Sequence, residues 1–265
     1  MLKPKVCILR TAGTNCDKET AFAFDQAGGA SELVHINSLL AEEKNLKDYQ
    51  ILALSGGFSY GDDVAAGKIL ANELKYKLSR DLKDFLAAGK LIIGICNGFQ
   101  ILVKAGLLPG NAEFKQEASL IINDSGKFED RWVHLRTPNS QLRTLNCIWT
   151  KNLPEIIYLP VAHGEGKFVT QDKKALERLK KNHQVVFQYC DERGKFSGYP
   201  DNPNGSEDNI AGICDESGRV LGLMPHPERH ISFTQHPRWA AKKSGKQGDG
   251  LQIFQNGIDY AKKLL

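Results

Sequence analysis

No apolar run in the 265-residue sequence approaches the roughly 20 residues needed to cross a bilayer. The opening Met1-Leu2-Lys3-Pro4-Lys5 leads straight into a strand-like segment, without the apolar stretch or small-residue cleavage site of a secretory signal. A chain that is neither inserted in a membrane nor secreted is expected, with a cytoplasmic location. The six cysteines, Cys7, Cys16, Cys96, Cys147, Cys190 and Cys214, form no CxxC pair and no Cys/His set at zinc-site spacing, so reduced thiols and no metal are expected. An excess of one charge is missing too: 35 Lys plus Arg face 31 Asp plus Glu, and the basic residues are scattered rather than gathered into a stripe. That argues against nucleic acid as the main partner. Neither an internal repeat nor a linker divides the chain, which points to a single domain over 1–265. With 41% hydrophobic and 25% charged residues, the composition is that of a globular protein.

The first hundred residues alternate strand and helix signals. Residues 6–9 form an apolar run; Asp17 can cap a helix carrying Ala21, Phe24 and Ala27, which Gly28-Gly29 ends. Further strands are predicted at 33–36 and 51–54, the latter followed by the Gly-rich loop 55–62. Two helices come next, one presenting Leu70, Leu74 and Leu78, the other Leu82, Phe85 and Leu86 before Gly89. Residues 91–95 are apolar at nearly every position, as in a parallel strand covered on both faces. The middle of the chain is β-rich, with runs at 120–122 and 132–135, a helix over 172–181, and strands at 185–187 and 210–213 returning partly antiparallel to the same sheet. A last strand covers 220–224. The final helix carries Leu251, Phe254, Ile258 and Leu265 on one stripe, and the polar segment 242–250 before it reads as a connector. The pattern is that of an α/β fold.

The densest chemical signal is Gly94-Ile95-Cys96-Asn97-Gly98-Phe99-Gln100, where an apolar strand gives way to a helix. Small residues two before and two after Cys96 permit the strained turn of a nucleophile elbow, with cysteine at its tip. The helix that follows places partial positive charge beside the sulfur. Cys7, Cys147, Cys190 and Cys214 lie in or beside strand-like stretches and read as buried apolar residues. Cys16 is intermediate, because its loop opens at the sheet edge where open α/β folds place their sites.

A thiol nucleophile needs a base, and His226 in Met224-Pro225-His226-Pro227-Glu228-Arg229 follows the last strand. Pro227 biases His226 toward an extended backbone, in which His226 and Glu228 project to the same side. Glu228 can then hold one ring nitrogen while the other faces the thiol. The alternative is a surface turn with a solvated histidine. A metal site fails here, since the spacing from His226 to His230 matches no zinc motif and Pro227 opposes a helix. The backbone N–H of Asn97 and an N–H from the Gly56-Gly57 loop can form an oxyanion hole. That loop lacks the Lys-Ser/Thr of a P-loop and the GxGxxG of a dinucleotide site.

These residues resemble the class I (triad) glutamine amidotransferases. SGGFSYGDD (55–63), CNGFQ (96–100), HGEGKF (163–168), NPNGS (202–206) and MPHPER (224–229) are similar, in the same order, to the glutaminase subunits of phosphoribosylformylglycinamidine synthase. The resemblance covers residues 1 to about 235, and implies an open, mostly parallel, doubly wound sheet of the flavodoxin-like type with added antiparallel strands. It implies Cys96 as nucleophile, His226 as base and Glu228 as its orienter, the residues that spacing also selects. It further implies Gly57 and Asn97 as oxyanion donors and Gln100, Ser59 and Gly164 near substrate glutamine. His163, Glu165 and the 200–206 loop receive no role, and 132–149 and 239–250 carry the least information. By the same resemblance the chain binds no cofactor, with ATP and Mg confined to a separate synthetase subunit that receives the ammonia. A small third subunit would bridge the two. Two other functions fit the same motifs: another triad glutaminase or stand-alone γ-glutamyl hydrolase, and a non-enzymatic regulatory module that binds glutamine.

Overall fold

The computed structural model describes residues 2–110, 113–137, 147–241 and 247–265. Its strands, in chain order, are β1 (Lys5–Arg10), β2 (Ala30–His35), β3 (Ile51–Leu54), β4 (Leu91–Ile95), β5 (Ala118–Ile121), β6 (Glu129–Arg136), β7 (Ile156–His163), β8 (Lys167–Thr170), β9 (Val185–Cys190), β10 (Ile210–Cys214) and β11 (Val220–Leu223). The helices are α1 (Asp17–Gln26), α2 (Ile36–Leu40), α3 (Lys68–Lys77), α4 (Ser79–Ala87), α5 (Asn97–Lys104), α6 (Lys173–Lys181) and α7 (Leu251–Ala261).

Nine strands form one sheet in the order β2-β1-β3-β4-β11-β10-β9-β6-β7. The pairings from β2 to β11 are parallel and those from β11 to β7 antiparallel. Every residue of β3, β4, β10 and β11 is buried, because both faces of the sheet are covered. α1 packs on β1, β2 and α7, and α5 on β3, β4, β11 and α3. Phe24 of α1 meets Phe254 of α7 edge-on with ring centroids 4.9 Å apart, and lies 6.5 Å from the ring of Trp149. Edge-to-face contact is the favoured arrangement for such rings.

Several local expectations shift. Cys16, not Asp17, is the residue before α1; Asp17 begins the helix and pairs with Arg10 at 3.3 Å. Ile36 starts α2 rather than ending β2. The run at 120–122 starts two residues earlier, as β5 (Ala118–Ile121), which pairs with β8 in a separate two-stranded sheet. Leu265 lies beyond α7 and is 53% exposed, so the apolar stripe stops with the helix. Of the connector expected at 242–250, residues 242–246 lie outside the described residues; Gly248 and Gly250 are tied by their N–H groups to Ile231 and His230 carbonyls.

The topology fixes where chemistry can occur. β1, β3, β4 and β11 are parallel neighbours in register, Leu9 beside Leu54, Leu54 beside Gly94 and Gly94 beside Gly222. Their C-terminal ends therefore share one edge, and the loops after all four meet there.

Candidate active site

Cys96 sits between β4 and α5 with φ 53° and ψ −107°, a conformation that costs a non-glycine residue about 1–3 kcal/mol. The flanking glycines explain how the turn closes. A Cβ on Gly98 would lie 1.9 Å from the Leu54 carbonyl oxygen, and one on Gly94 would lie 2.5 Å from the Gly98 carbonyl oxygen. The Cys96 N–H donates to the Leu223 carbonyl at 2.8 Å, and its own carbonyl accepts the Gln100 N–H at 3.1 Å, opening the helix. The elbow is thus anchored on β11, the strand that leads to His226.

On that neighbouring segment the His226 N–H donates to the Pro160 carbonyl at 2.8 Å, and Pro227–Arg229 forms one turn of 3₁₀-helix. This departs from the extended path expected for 226–228, yet it closes the same pair: His226 Nδ1 lies 2.6 Å from Glu228 Oε1. Both residues are 2% exposed. Burial opposes the imidazolium, but the Glu228 carboxylate and the thiols of Cys96 and Cys16 outweigh it and raise the His226 pKa well above its usual value. His226 Nε2 is buried without a hydrogen-bond partner.

Loops after β1 and β3 make the remaining wall. The Asn15 and Cys16 N–H groups both donate to the Gly56 carbonyl, and Phe58 N–H to the Gly13 carbonyl at 2.9 Å. Gly57 has φ +137°, and a Cβ there would lie 2.7 Å from the Asn15 nitrogen, so glycine is required for the two loops to lie this close. Asn97 clamps the loop to α5: its Oδ1 accepts from the Ser59 N–H and hydroxyl, and its Nδ2 donates to Asp62 at 3.1 Å and to Gln100 Oε1 at 3.0 Å. Its backbone N–H is the first of the helix, where no intrahelical acceptor exists.

Cys96, His226 and Gly57 face a common cavity of about 130 Å³. Sequence reasoning missed several of its other walls. Arg229 is the residue after Glu228, and Asn15 and Phe58 adjoin residues already singled out, so a neighbour rule would have found these three. Phe128 and Ala162 arrive from the β6–β7 region, and nothing local marks them. Cys16, left open between core and site, also lines the cavity: its sulfur lies 3.2 Å from Arg229 Nη2, which in turn pairs with Glu19 through Nε at 2.9 Å. Burial pushes the Cys16 thiol up, with His226 and Arg229 opposing that shift. The remaining cysteines are buried free thiols away from the cavity.

Gln100, Ser59 and Gly164 lie behind these walls rather than on them. Gln100 Nε2 donates to the Glu165 carbonyl at 2.6 Å, and the Gly164 carbonyl accepts from Asn123 at 3.0 Å. His163 donates through Nδ1 to Asn123 Oδ1 at 3.2 Å and is 3% exposed; burial, helped by the charge of His226, lowers its pKa to about 3. It is therefore a neutral structural group. Asn204 bridges it to the Tyr189 hydroxyl, and Ser206 donates to Asn204, so the 163–168 and 202–206 blocks form one buried polar network. Glu165 approaches Lys104 at 3.8 Å. A larger cavity of about 450 Å³ beside Tyr199 and Pro203 has no thiol or imidazole on its walls.

A cysteine at a strained elbow and a buried imidazole held by a carboxylate are together the groups that a thiol nucleophile requires. The comparisons agree. Residues 3–261 match the family model of the CobB/CobQ-like glutamine amidotransferase domain, and the chain belongs to this family. It is 50% identical, over the whole of both chains, to the phosphoribosylformylglycinamidine synthase subunit PurQ of Dehalococcoides mccartyi, and 44% identical to that of Methanococcus maripaludis over 98% of each. Within the amidotransferases, it belongs to the PurQ family. Among solved structures, PurLQS from Thermotoga maritima contains a chain with a TM-score of 0.72 and 32% identity, covering 98% of this chain and 99% of that one.

Proposed function

We propose that this chain is the glutaminase subunit of phosphoribosylformylglycinamidine synthase in purine biosynthesis, with Cys96 as nucleophile. The Cys96 sulfur attacks the side-chain amide carbon of L-glutamine. The carbonyl oxygen becomes an oxyanion received by the Gly57 and Asn97 N–H groups. His226 takes the thiol proton and passes it to the amide nitrogen, so that ammonia leaves and a γ-glutamyl thioester remains. Water, deprotonated by His226, then cleaves the thioester to glutamate and restores the thiol. Glu228 fixes the imidazole so that Nε2 faces the reacting atoms. Gln100, Ser59 and Gly164 act one layer out, holding the loops that shape the glutamine pocket.

The observation that carries this reading is the buried His226–Glu228 pair at 2.6 Å, with His226 lining the same cavity as Cys96. The ammonia is delivered to an ATP- and Mg-dependent synthetase subunit, which converts formylglycinamide ribonucleotide to formylglycinamidine ribonucleotide, with a small subunit bridging the two. The whole chain acts as one amidotransferase domain in the cytoplasm, and among the described residues no helix is long and apolar enough to cross a membrane. The test is reconstitution with the synthetase. Cys96→Ala abolishes glutamine-dependent synthesis and leaves ammonia-dependent synthesis intact; loss of both would assign Cys96 a structural role instead.

A further inference from the structure

We propose that Lys104 is a positioning residue for the oxyanion hole: from the last turn of α5 its ammonium, backed by Glu165, fastens the loop that carries the Gly57 N–H. Resting on the glutaminase reading, this role gives a task to Glu165 and to a buried lysine that the triad does not use. Asn97, Gln100 and Lys104 recur at i, i+3 and i+7, so they stand on one face of α5. All three are polar, yet they are only 0%, 4% and 7% exposed. Burying an ammonium is costly unless partners compensate it. Each of the three reaches from the helix to a neighbouring segment: Asn97 to Ser59 and Asp62, Gln100 to the Glu165 carbonyl, and Lys104 to the Ala66 carbonyl at 2.6 Å.

The loop needs such fastening. Tyr60, Gly61, Asp62 and Gly67 have φ of 56°, 70°, 55° and 70°. Tyr60 and Asp62 lack glycine's freedom there, and a left-handed non-glycine residue persists only where its surroundings impose it. On one side the loop is held to the segment after β1, by the Phe58 N–H on the Gly13 carbonyl and the Tyr60 N–H on the Ala12 carbonyl. On the other it is held by α5 and the segment after β7. Asp62 Oδ1 accepts from the Gly67 N–H at 3.0 Å and from Asn97 Nδ2 at 3.1 Å. Lys104 secures the far end: its Nζ stands 3.8 Å from Glu165 Oε2, and that oxygen accepts the Ala66 N–H at 3.4 Å, so both polar backbone groups of Ala66 are engaged. Burial lowers the Lys104 pKa, and the charges of Glu165 and Asp62 oppose that shift. Without the ammonium, Ala66 loses its anchor and the two carboxylates face each other uncompensated. The loop then relaxes, and the Gly57 N–H, two residues before Ser59, is no longer held where the oxyanion forms.

The test compares Lys104→Met and Glu165→Ala with wild type, each as the full chain reconstituted with the synthetase and checked as folded by circular dichroism. Removing one oxyanion donor costs about 10²- to 10³-fold in kcat, and displacing it costs part of that. Lys104→Met is expected to lower kcat for glutamine at least about tenfold with KM unchanged within about twofold. Glu165→Ala should act in the same direction by less, and it carries the test alone should Lys104→Met fail to fold. A second readout separates oxyanion geometry from damage to the triad: the rate at which iodoacetamide alkylates Cys96, followed by peptide mapping. There sulfur displaces iodide at a saturated carbon, the thiol proton passes to solvent and no oxyanion forms, so both variants should match wild type. Wild-type kcat in the folded variants, a rise in KM alone, or an equal fall in alkylation and turnover would overturn the proposal. An inactive Cys96→Ala beside fully active Lys104 and Glu165 variants removes only the positioning role. A Cys96→Ala chain that retains glutamine-dependent synthesis removes the glutaminase reading itself.

Discussion

Glu228→Gln isolates the electrostatics of the proposed base with little change of shape. In the folded chain the carboxylate lies 2.6 Å from His226 Nδ1, and both groups are buried. A hydrogen bond to a charged group contributes about 1.5–3 kcal/mol, so its loss lowers the imidazole pKa. With the carboxylate gone, burial dominates and the value drops toward or below the ordinary histidine range. The limb of the pH–rate profile that reports His226 should move to lower pH. Loss of the fixed tautomer should reduce kcat by about 10²- to 10⁴-fold. Stability follows the same logic. The folded chain holds the His226 proton more tightly than the unfolded chain, so the pair's contribution is fully present below pH of about 6.5 and fades as pH rises through the folded value. Urea unfolding of wild type and variant should differ by about 1.5–3 kcal/mol near pH 6 and converge at higher pH. Because the imidazole can shed its charge, the larger penalty for a stranded buried ion is avoided. A gap that is independent of pH, or a pH–rate profile that does not move, would refute the assignment of Glu228 as the partner of His226.

Other outcomes follow from the same geometry. Gly98→Ala places a Cβ 1.9 Å from the Leu54 carbonyl and should cost more than about 4 kcal/mol in urea unfolding. Gly28→Ala, at φ +96° with nothing within 4 Å of the new atom, should cost only about 1–2 kcal/mol, so equal losses would contradict the elbow explanation. His163, with its pKa lowered to about 3, binds a proton less readily folded than unfolded. Its contribution is therefore present above pH of about 6.5 and is lost as pH falls toward 3, by up to about 5 kcal/mol. His163→Gln should flatten the acid limb of the stability curve, and an unchanged limb would show that the group is not held neutral.

The central strands and the elbow were legible because their constraints are local. β3 and β4 are buried on both faces, so they appear as unbroken apolar runs, and the Cys96 turn needs small residues at fixed offsets. The pairing of His226 with Glu228 was also visible, although the chain achieves it through a 3₁₀ turn rather than an extended segment. What the sequence hid is non-local. β7 alternates buried and half-buried positions, and its Ala162 carbonyl reaches the Cys96 sulfur across 66 positions of sequence. The separate β5–β8 sheet is invisible in local composition, since either strand would suit the main sheet equally well. Cys16 stayed ambiguous for the same reason: only the lacing of two loops through the Gly56 carbonyl decides that its sulfur faces the cavity.

The most direct measurement is peptide mapping of the full chain after reaction with a glutamine-like electrophile. A single adduct on Cys96, suppressed by excess L-glutamine and absent in Cys96→Ala, is the predicted result. Labelling of Cys16 in place of Cys96, or a Cys96 left unmodified while other thiols react, would contradict the claim that this sulfur is the nucleophile.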